Sequence, residues 1–323
     1  MNVVLGAATR EAYGKTLLEL GAERQDIIVL DADLAKSTGT LGFSRAYPER
    51  FFDFGVAEQN MVSTAAGLAA CGKVVFASTF AVFASGRCFD QLRVSIAQPH
   101  LNVKLVGSHG GITVGEDGIT HHAIEDLALI CSLPGFTVIV PADEIEASQA
   151  IRLAAETSGP FYIRCGRPKV PVVCGPDYRL VLGKASQFRG GSHLTIIANG
   201  IMVAAALAAA ETLAQEGIES RVLNMSTLKP LDREAIESAA RETGAIVTAE
   251  EHLQHGGLGS QVAQVVAETC PVPISFVAIK DTYAESGKPD ELLERYGLTA
   301  SDIVRASYNV LRRKMPVPVA TDR

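Results

Sequence analysis

Along most of the chain, short runs of β-branched and other apolar residues alternate with longer, alanine-rich stretches. The apolar runs predict strands at 27–31, 50–54, 73–77, 103–107, 136–140 and 161–164. Between them the pattern predicts helices at 7–23, 59–71, 85–97, 123–132 and 143–157, the last opened by Asp143 as N-cap. The strands are almost continuously apolar. That is the pattern of a parallel sheet covered by helices on both faces.

The rhythm breaks between Arg167 and Gly191, where prolines, glycines and short alternating segments read as a linker with an edge strand. A second α/β unit follows, with strands expected at 193–198, 220–224, 245–249 and 274–277. Helices are expected up to 216, near 232–242 and at 257–268, with two terminal ones at 289–296 and 300–314. The expected architecture is α/β with two domains, each a mainly parallel sheet covered by helices. They span residues 1–175 and 191–323, joined by a linker at 176–190.

Composition narrows the function classes. Apolar residues make up 47% of the chain and charged ones 20%, as in a globular protein with a filled core. A net charge of −7 argues against a nucleic-acid groove, which needs a basic face. A few arginines in a pocket would still suffice to bind a phosphate. The N-terminus lacks a basic segment followed by an apolar one, and the longest apolar stretch, 196–210, is interrupted by Asn199 and Gly200. No membrane association and a cytoplasmic location are expected. The six cysteines form no CxxC pair and read as buried free thiols of a reducing compartment.

Three segments carry candidate chemistry. In Phe51–Met61 (FFDFGVAEQNM) a strand ends and a helix begins, which puts Glu58 at a strand's carboxyl end, the rim where open α/β sheets bind ligands. A first-turn glutamate is also what the helix macrodipole favours on its own. The stretch 107–122 (GSHGGITVGEDGITHH) packs five glycines, three histidines and two acids into one loop after an apolar strand. Loops of this kind on a rigid scaffold usually carry function. No matching cluster elsewhere suggests a metal site. Phe80 and Phe83, spaced by three, would share a helical face and could flank a planar ring.

Taken in order, GVAEQNM, STFAVFASGR and SHGGITVGEDGITHHAIED resemble the pyrimidine-binding domain of the transketolase family, whose cofactor is thiamine diphosphate. The likeness extends from Ala8-Thr9-Arg10 and the segment Asp31–Ser37 to a C-terminal domain beginning near Gly191. The resemblance implies that Glu58 hydrogen-bonds N1′ of the cofactor's aminopyrimidine, favouring the tautomer that removes the thiazolium C2 proton. It implies that Phe80 and Phe83 pack against the pyrimidine and that Asp33 lies near the thiazolium. Asp117 and His121 would contact substrate hydroxyls and the carbonyl, with His121 also catalytic. Arg10, Ser37, His109 and Arg164 match positions that hold the phosphate of a sugar phosphate, although Arg167, three residues on, competes with Arg164 for that role.

Two departures stand out. Gly86, followed by Arg87, occupies a place where the family often has a tyrosine. The family's GDG motif with a following asparagine pair, which holds Mg²⁺ and the diphosphate, is not found in this sequence. The resemblance therefore implies a split enzyme. A separate N-terminal, diphosphate-binding transketolase subunit would complete each site in an α2β2 assembly and bind most of the Mg²⁺ or Ca²⁺ coordination shell. The expected reaction is transfer of a two-carbon ketol unit between sugar phosphates.

The β subunit of a 2-oxo acid dehydrogenase E1 has similar length and a cofactor glutamate, but the GEDGITHH loop with Arg10 and Ser37 favours transketolase. A non-catalytic binding half-enzyme is disfavoured by the joint presence of Glu58, Asp117 and His121. Further on, Gly257-x-Gly259 fails the dinucleotide fingerprint because Val262 stands at its third position. That region is expected to brace the assembly.

Overall fold

The computed structural model describes residues 4–314. Six strands build the first half: β1 (Ile27–Asp31), β2 (Phe51–Asp53), β3 (Val74–Phe80), β4 (Val103–Ser108), β5 (Thr137–Ile139) and β6 (Phe161–Arg164). The second half holds β7 (Ser186–Arg189), β8 (Leu194–Ala198), β9 (Ser220–Asn224), β10 (Thr227–Lys229), β11 (Ile246–Leu253) and β12 (Ile274–Ile279). One sheet has the order β10-β5-β6-β4-β3-β1-β2, the other β12-β11-β8-β9-β7. Every pairing is parallel except the two that involve β10 and β7, on the outer edges.

The reason lies in burial. β1, β3, β4 and β6 are buried at every position, as strands covered on both faces must be. Helices Thr9–Glu23 and Glu144–Glu156 cover one face, packing Tyr13, Leu17 and Ile151 against Val29 and Phe76. Helix Glu58–Ala70 covers the other with Met61 and Val62. Asp143 caps as expected: its Oδ1 accepts the N–H groups of Ile145 and Glu146, both at 3.0 Å. Its Oδ2 also accepts the N–H groups of Val173 and Cys174, tying the helix to the segment just before the linker.

Three local expectations are revised. β3 runs on through Phe80, so Phe80 and Phe83 do not share one helix. The helix expected at 85–97 is broken into Ala81–Gly86, Phe89–Gln91 and a wide, π-type turn at Leu92–Ala97, with the poor helix former Gly86 ending the first piece. β10, which follows the linker, belongs to the first sheet, where Thr227 and Lys229 pair with Ile139 and Val138. The expected edge strand in the linker is present as β7, antiparallel to β9.

All six cysteines are free; Cys88, Cys165 and Cys174 are buried, while Cys71 is exposed. Among the described residues, no helix is long and apolar enough to cross a membrane.

Candidate active site

The carboxyl ends of β1, β3, β4 and β6 converge on one rim of the first sheet. At β1 the rim loop is built around Asp31, a fully buried residue. Its carboxylate accepts hydrogen bonds from Leu34 N (2.7 Å), Thr38 Oγ1 (2.7 Å) and Thr40 Oγ1 (2.8 Å). Burial pushes the Asp31 carboxyl up to about 6, against the pull of those bonds. Gly39, at φ +95°, lies so close to Arg10 O that a Cβ would sit 2.7 Å from it, so only glycine fits this turn.

The loop thus shaped presents Asp33 and Ser37. Asp33 is exposed at φ +64°, its backbone N–H held by Asp53 Oδ1 at 3.0 Å. Ser37 O accepts Arg10 Nη1 at 2.8 Å, and Arg10 Nε donates to Arg167 O at 3.2 Å. Arg10, Ser37 and Arg167 therefore form one polar cluster.

A second cluster is aromatic. Phe80 and Phe83 lie nearly parallel, ring centroids 6.0 Å apart. The His109 ring stacks on Phe80 at 3.9 Å, and the half-buried His121 approaches both phenyl rings edge-on at 6.0 and 5.3 Å. Glu58, only 4% exposed, opens its helix beside this cluster. Its Oε1 accepts Arg87 Nη1 at 2.8 Å, and the Arg87 guanidinium lies over the Phe83 ring, 4.0 Å from the centroid.

His109 links the clusters. It is buried, held at φ +59°, with Nδ1 2.9 Å from Ser108 Oγ. Burial, reinforced by the nearby Arg10, Arg167 and His121, pushes its pKa down to about 3, so the imidazole is neutral at physiological pH. If the Ser108 hydroxyl donates to Nδ1, the ring proton sits on Nε2, which then offers a hydrogen-bond donor.

The glycine-rich loop is pinned by a carboxylate from the second half of the chain. Thr113 N–H donates to Glu251 Oε1, on β11 of the second half, at 2.7 Å. Gly111 lies against the same carboxylate; a Cβ there would fall 2.1 Å from Glu251 Oε1. From this anchor a series of tight turns runs outward: Gly115 N to Ile112 O, Gly118 N to Gly115 O, and His121 N to Gly118 O. They place Asp117 and His121 at the exposed end of the loop.

The two arginines left open by the sequence separate clearly. Arg164 is 5% exposed, with Nε on Asp126 Oδ2 at 3.0 Å and Nη2 on Ala123 O at 2.7 Å. Its fork is committed to Asp126 and Ala123 within the first half and is almost wholly buried. Arg167 is partly exposed; it donates to Val114 O and comes within 3.3 Å of Glu116 and 3.9 Å of Asp117. Of the two, Arg167 is the one whose guanidinium reaches the glycine-rich loop at the rim.

The structure brings together Glu58, Phe80, Phe83, His109 and His121 around one spot, with Arg10, Ser37, Arg167 and Asp117 beside it. Arg87, Asp31 and Glu251 are absent from the expected site residues. Asp31 had a signal, a polar residue closing an apolar run, whereas Arg87 showed only as the neighbour of an unusual glycine.

These residues fit the pyrimidine half of thiamine diphosphate. A planar cation already lies on the Phe83 face within hydrogen-bond reach of Glu58, so a planar ring can be held by the same two groups. Among the described residues, no group of three His, Cys, Asp or Glu side chains could hold a metal ion.

Comparison with known proteins finds matches over both halves of the chain. Residues 6–172 match the model of the transketolase pyrimidine binding domain, and residues 183–303 that of the transketolase C-terminal domain. The chain is 45% identical to the 6-deoxy-6-sulfo-D-fructose transketolase subunit SqwH of Clostridium sp. (strain MSTE9), over 94% of this chain and 95% of that one. It is 39% identical to one subunit of the apulose-4-phosphate transketolase of Phocaeicola vulgatus, covering 95% and 98%. Human transketolase is 40% identical over 93% of this chain, which spans 48% of that protein. Among solved structures, a split-gene transketolase described as an inactive beta4 tetramer superposes with a TM-score of 0.90 at 52% identity, covering 96% and 100%.

Proposed function

The chain belongs to the transketolase family, and from that premise we propose that it supplies the pyrimidine side of a thiamine-diphosphate site shared with a second subunit. The reaction is transfer of a two-carbon ketol unit from a ketose phosphate to an aldose phosphate. The observation that carries the residue assignment is the buried Glu58 carboxylate at the start of its helix, beside the Phe83 face.

When bound, thiamine diphosphate supplies the nucleophile that cleaves and re-forms the carbon–carbon bond. The chain's own residues do the rest. Glu58 holds a proton at the ring nitrogen N1′, while Phe80 and Phe83 wall the ring and keep water from it. Neutral His109 offers Nε2–H as a donor to the sugar phosphate. His121, backed by Thr120 Oγ1 at 2.9 Å from its Nδ1, moves protons at the substrate carbonyl and hydroxyls with Asp117 alongside. Arg10, Ser37 and Arg167 take the phosphate, for which the always charged guanidinium fork is suited. Asp33 faces the thiazolium side.

A partner subunit that grips the diphosphate and most of the Mg²⁺ or Ca²⁺ shell completes the site, in an α2β2 assembly. Relatives of nearly the same length that are named as transketolase subunits support this reading. Six free cysteines fit a reducing cytoplasm.

The test is reconstitution with a diphosphate-binding partner, thiamine diphosphate and Mg²⁺, followed by ketol transfer from xylulose 5-phosphate. Turnover is expected only in the mixture. Glu58→Gln should assemble normally and lose about a hundredfold or more of kcat; full turnover by that variant, or by the chain alone, would sink the assignment.

A further inference from the structure

Arg87 makes the two contacts that the cofactor's ring needs. Its Nη1 bonds Glu58 Oε1 at 2.8 Å, and its flat guanidinium lies over the Phe83 ring at 4.0 Å. In shape, charge and partners it imitates a protonated aminopyrimidine. We infer that Arg87 is an internal competitor for the pyrimidine site, displaced when thiamine diphosphate binds, and that it sets the affinity for that cofactor. The inference rests on the reading of Glu58 and Phe83 as the ring's partners.

The local structure suits a side chain that must leave. The Arg87 backbone is anchored, since its carbonyl accepts Gln59 Nε2 at 2.9 Å, whereas the side chain is 49% exposed. That exposure lets the guanidinium swing into water, and the neighbouring Gly86 adds no side chain to hold it in place. Glu58, by contrast, is buried and would otherwise stand as an unpaired buried carboxylate, a costly arrangement. Arg87 covers that charge until the ring takes its place.

A half-exposed ion pair and a cation–π contact open to water are each modest, so the competition should be moderate. Removing it should tighten cofactor binding about tenfold, which corresponds to about 1.4 kcal/mol.

The experiment titrates thiamine diphosphate, in the presence of Mg²⁺, into the assembled two-subunit complex by calorimetry. Arg87→Gln is expected to bind about tenfold tighter than the natural chain, with Arg87→Lys in between, because an ammonium keeps the charge but not the plane. Raising the salt should shrink the ratio between Arg87→Gln and the natural chain, since screening weakens the competing pair. An unchanged or weaker affinity in Arg87→Gln overturns the inference and makes Arg87 a bystander or a support of the bound ring. Failure of the underlying reading is separate: it shows as undiminished turnover in Glu58→Gln, whatever the Arg87 variants do.

Discussion

Glu251→Ala tests whether the second half of the chain positions the glycine-rich loop or merely adjoins it. Glu251 is buried, and its Oε1 is the acceptor for Thr113 N–H at 2.7 Å. Removing the carboxylate leaves that buried N–H without its acceptor, which costs about 1–3 kcal/mol. It also strips a negative charge from beside the buried Arg164 guanidinium. Together these give about 2–4 kcal/mol, read as a lower urea midpoint at unchanged slope. Glu251→Gln keeps an oxygen for Thr113 and loses only the charge, so about 1 kcal/mol is expected. The functional consequence follows from the turns between Thr113 and His121: if the anchor is released, Asp117 and His121 shift together. A displacement of about 1 Å can cost up to about a hundredfold. In the reconstituted complex, kcat/KM for the donor sugar should fall about tenfold to a hundredfold in Glu251→Ala, with cofactor affinity within about twofold. A variant that loses stability but keeps full kcat/KM while folded would refute the positioning argument. A variant that loses neither would refute the hydrogen bond as well.

The two arginines should respond in opposite ways. Arg164→Ala strands the fully buried Asp126 and should cost about 3–5 kcal/mol of stability, whereas Arg167→Ala should leave the unfolding midpoint nearly unchanged and raise KM for sugar phosphates about tenfold. His109, with its pKa lowered from 6.5 to about 3 in the folded chain, binds fewer protons there than when unfolded. Its contribution is present above about pH 6.5 and is lost as pH falls toward 3, so His109→Gln should flatten the decline of stability between about pH 6 and 4; equal slopes in urea titrations would contradict this. Asp143→Ala removes the acceptor of four backbone N–H groups and should cost about 3–4 kcal/mol, with Asp143→Asn losing about half as much, both read from unfolding midpoints.

What the sequence made legible follows from how local each signal is. β1, β4 and β6 were readable because a strand buried on both faces must be apolar throughout, and the cap at Asp143 because it acts within three residues. β10 was not, since three residues carry little pattern and their pairing with β5 is decided 88 residues away, between Thr227 and Ile139. Glu58 and the loop at 107–122 were legible as candidates from their place at strand ends and their composition. The division between Arg164 and Arg167 was not, because it depends on Asp126 and Ala123 meeting Arg164 from 38 and 41 residues away. Arg87 lies further still from sequence reasoning. Its meaning comes from a ring four residues back and a carboxylate 29 residues back, brought together only by the fold.

The rim itself argues for a shared site. Glu58, Phe80 and His109 are buried and Phe83 and His121 half-buried, while large apolar side chains nearby in the sequence stand exposed. Val56 is 72% exposed two residues before Glu58, Phe52 on edge strand β2 is 47% exposed, and Ile119 is 50% exposed between Asp117 and His121. Isolated exposed apolar residues are ordinary, but two of these adjoin the candidate positions Glu58, Asp117 and His121, and the third lies on edge strand β2. Proton transfer at Glu58 and hydrogen bonding at His109 and His121 gain most when water is excluded. If Glu58, His109 and His121 work as proposed, the surface that excludes water should come from another subunit, and the exposed Val56, Phe52 and Ile119 are what that subunit would cover.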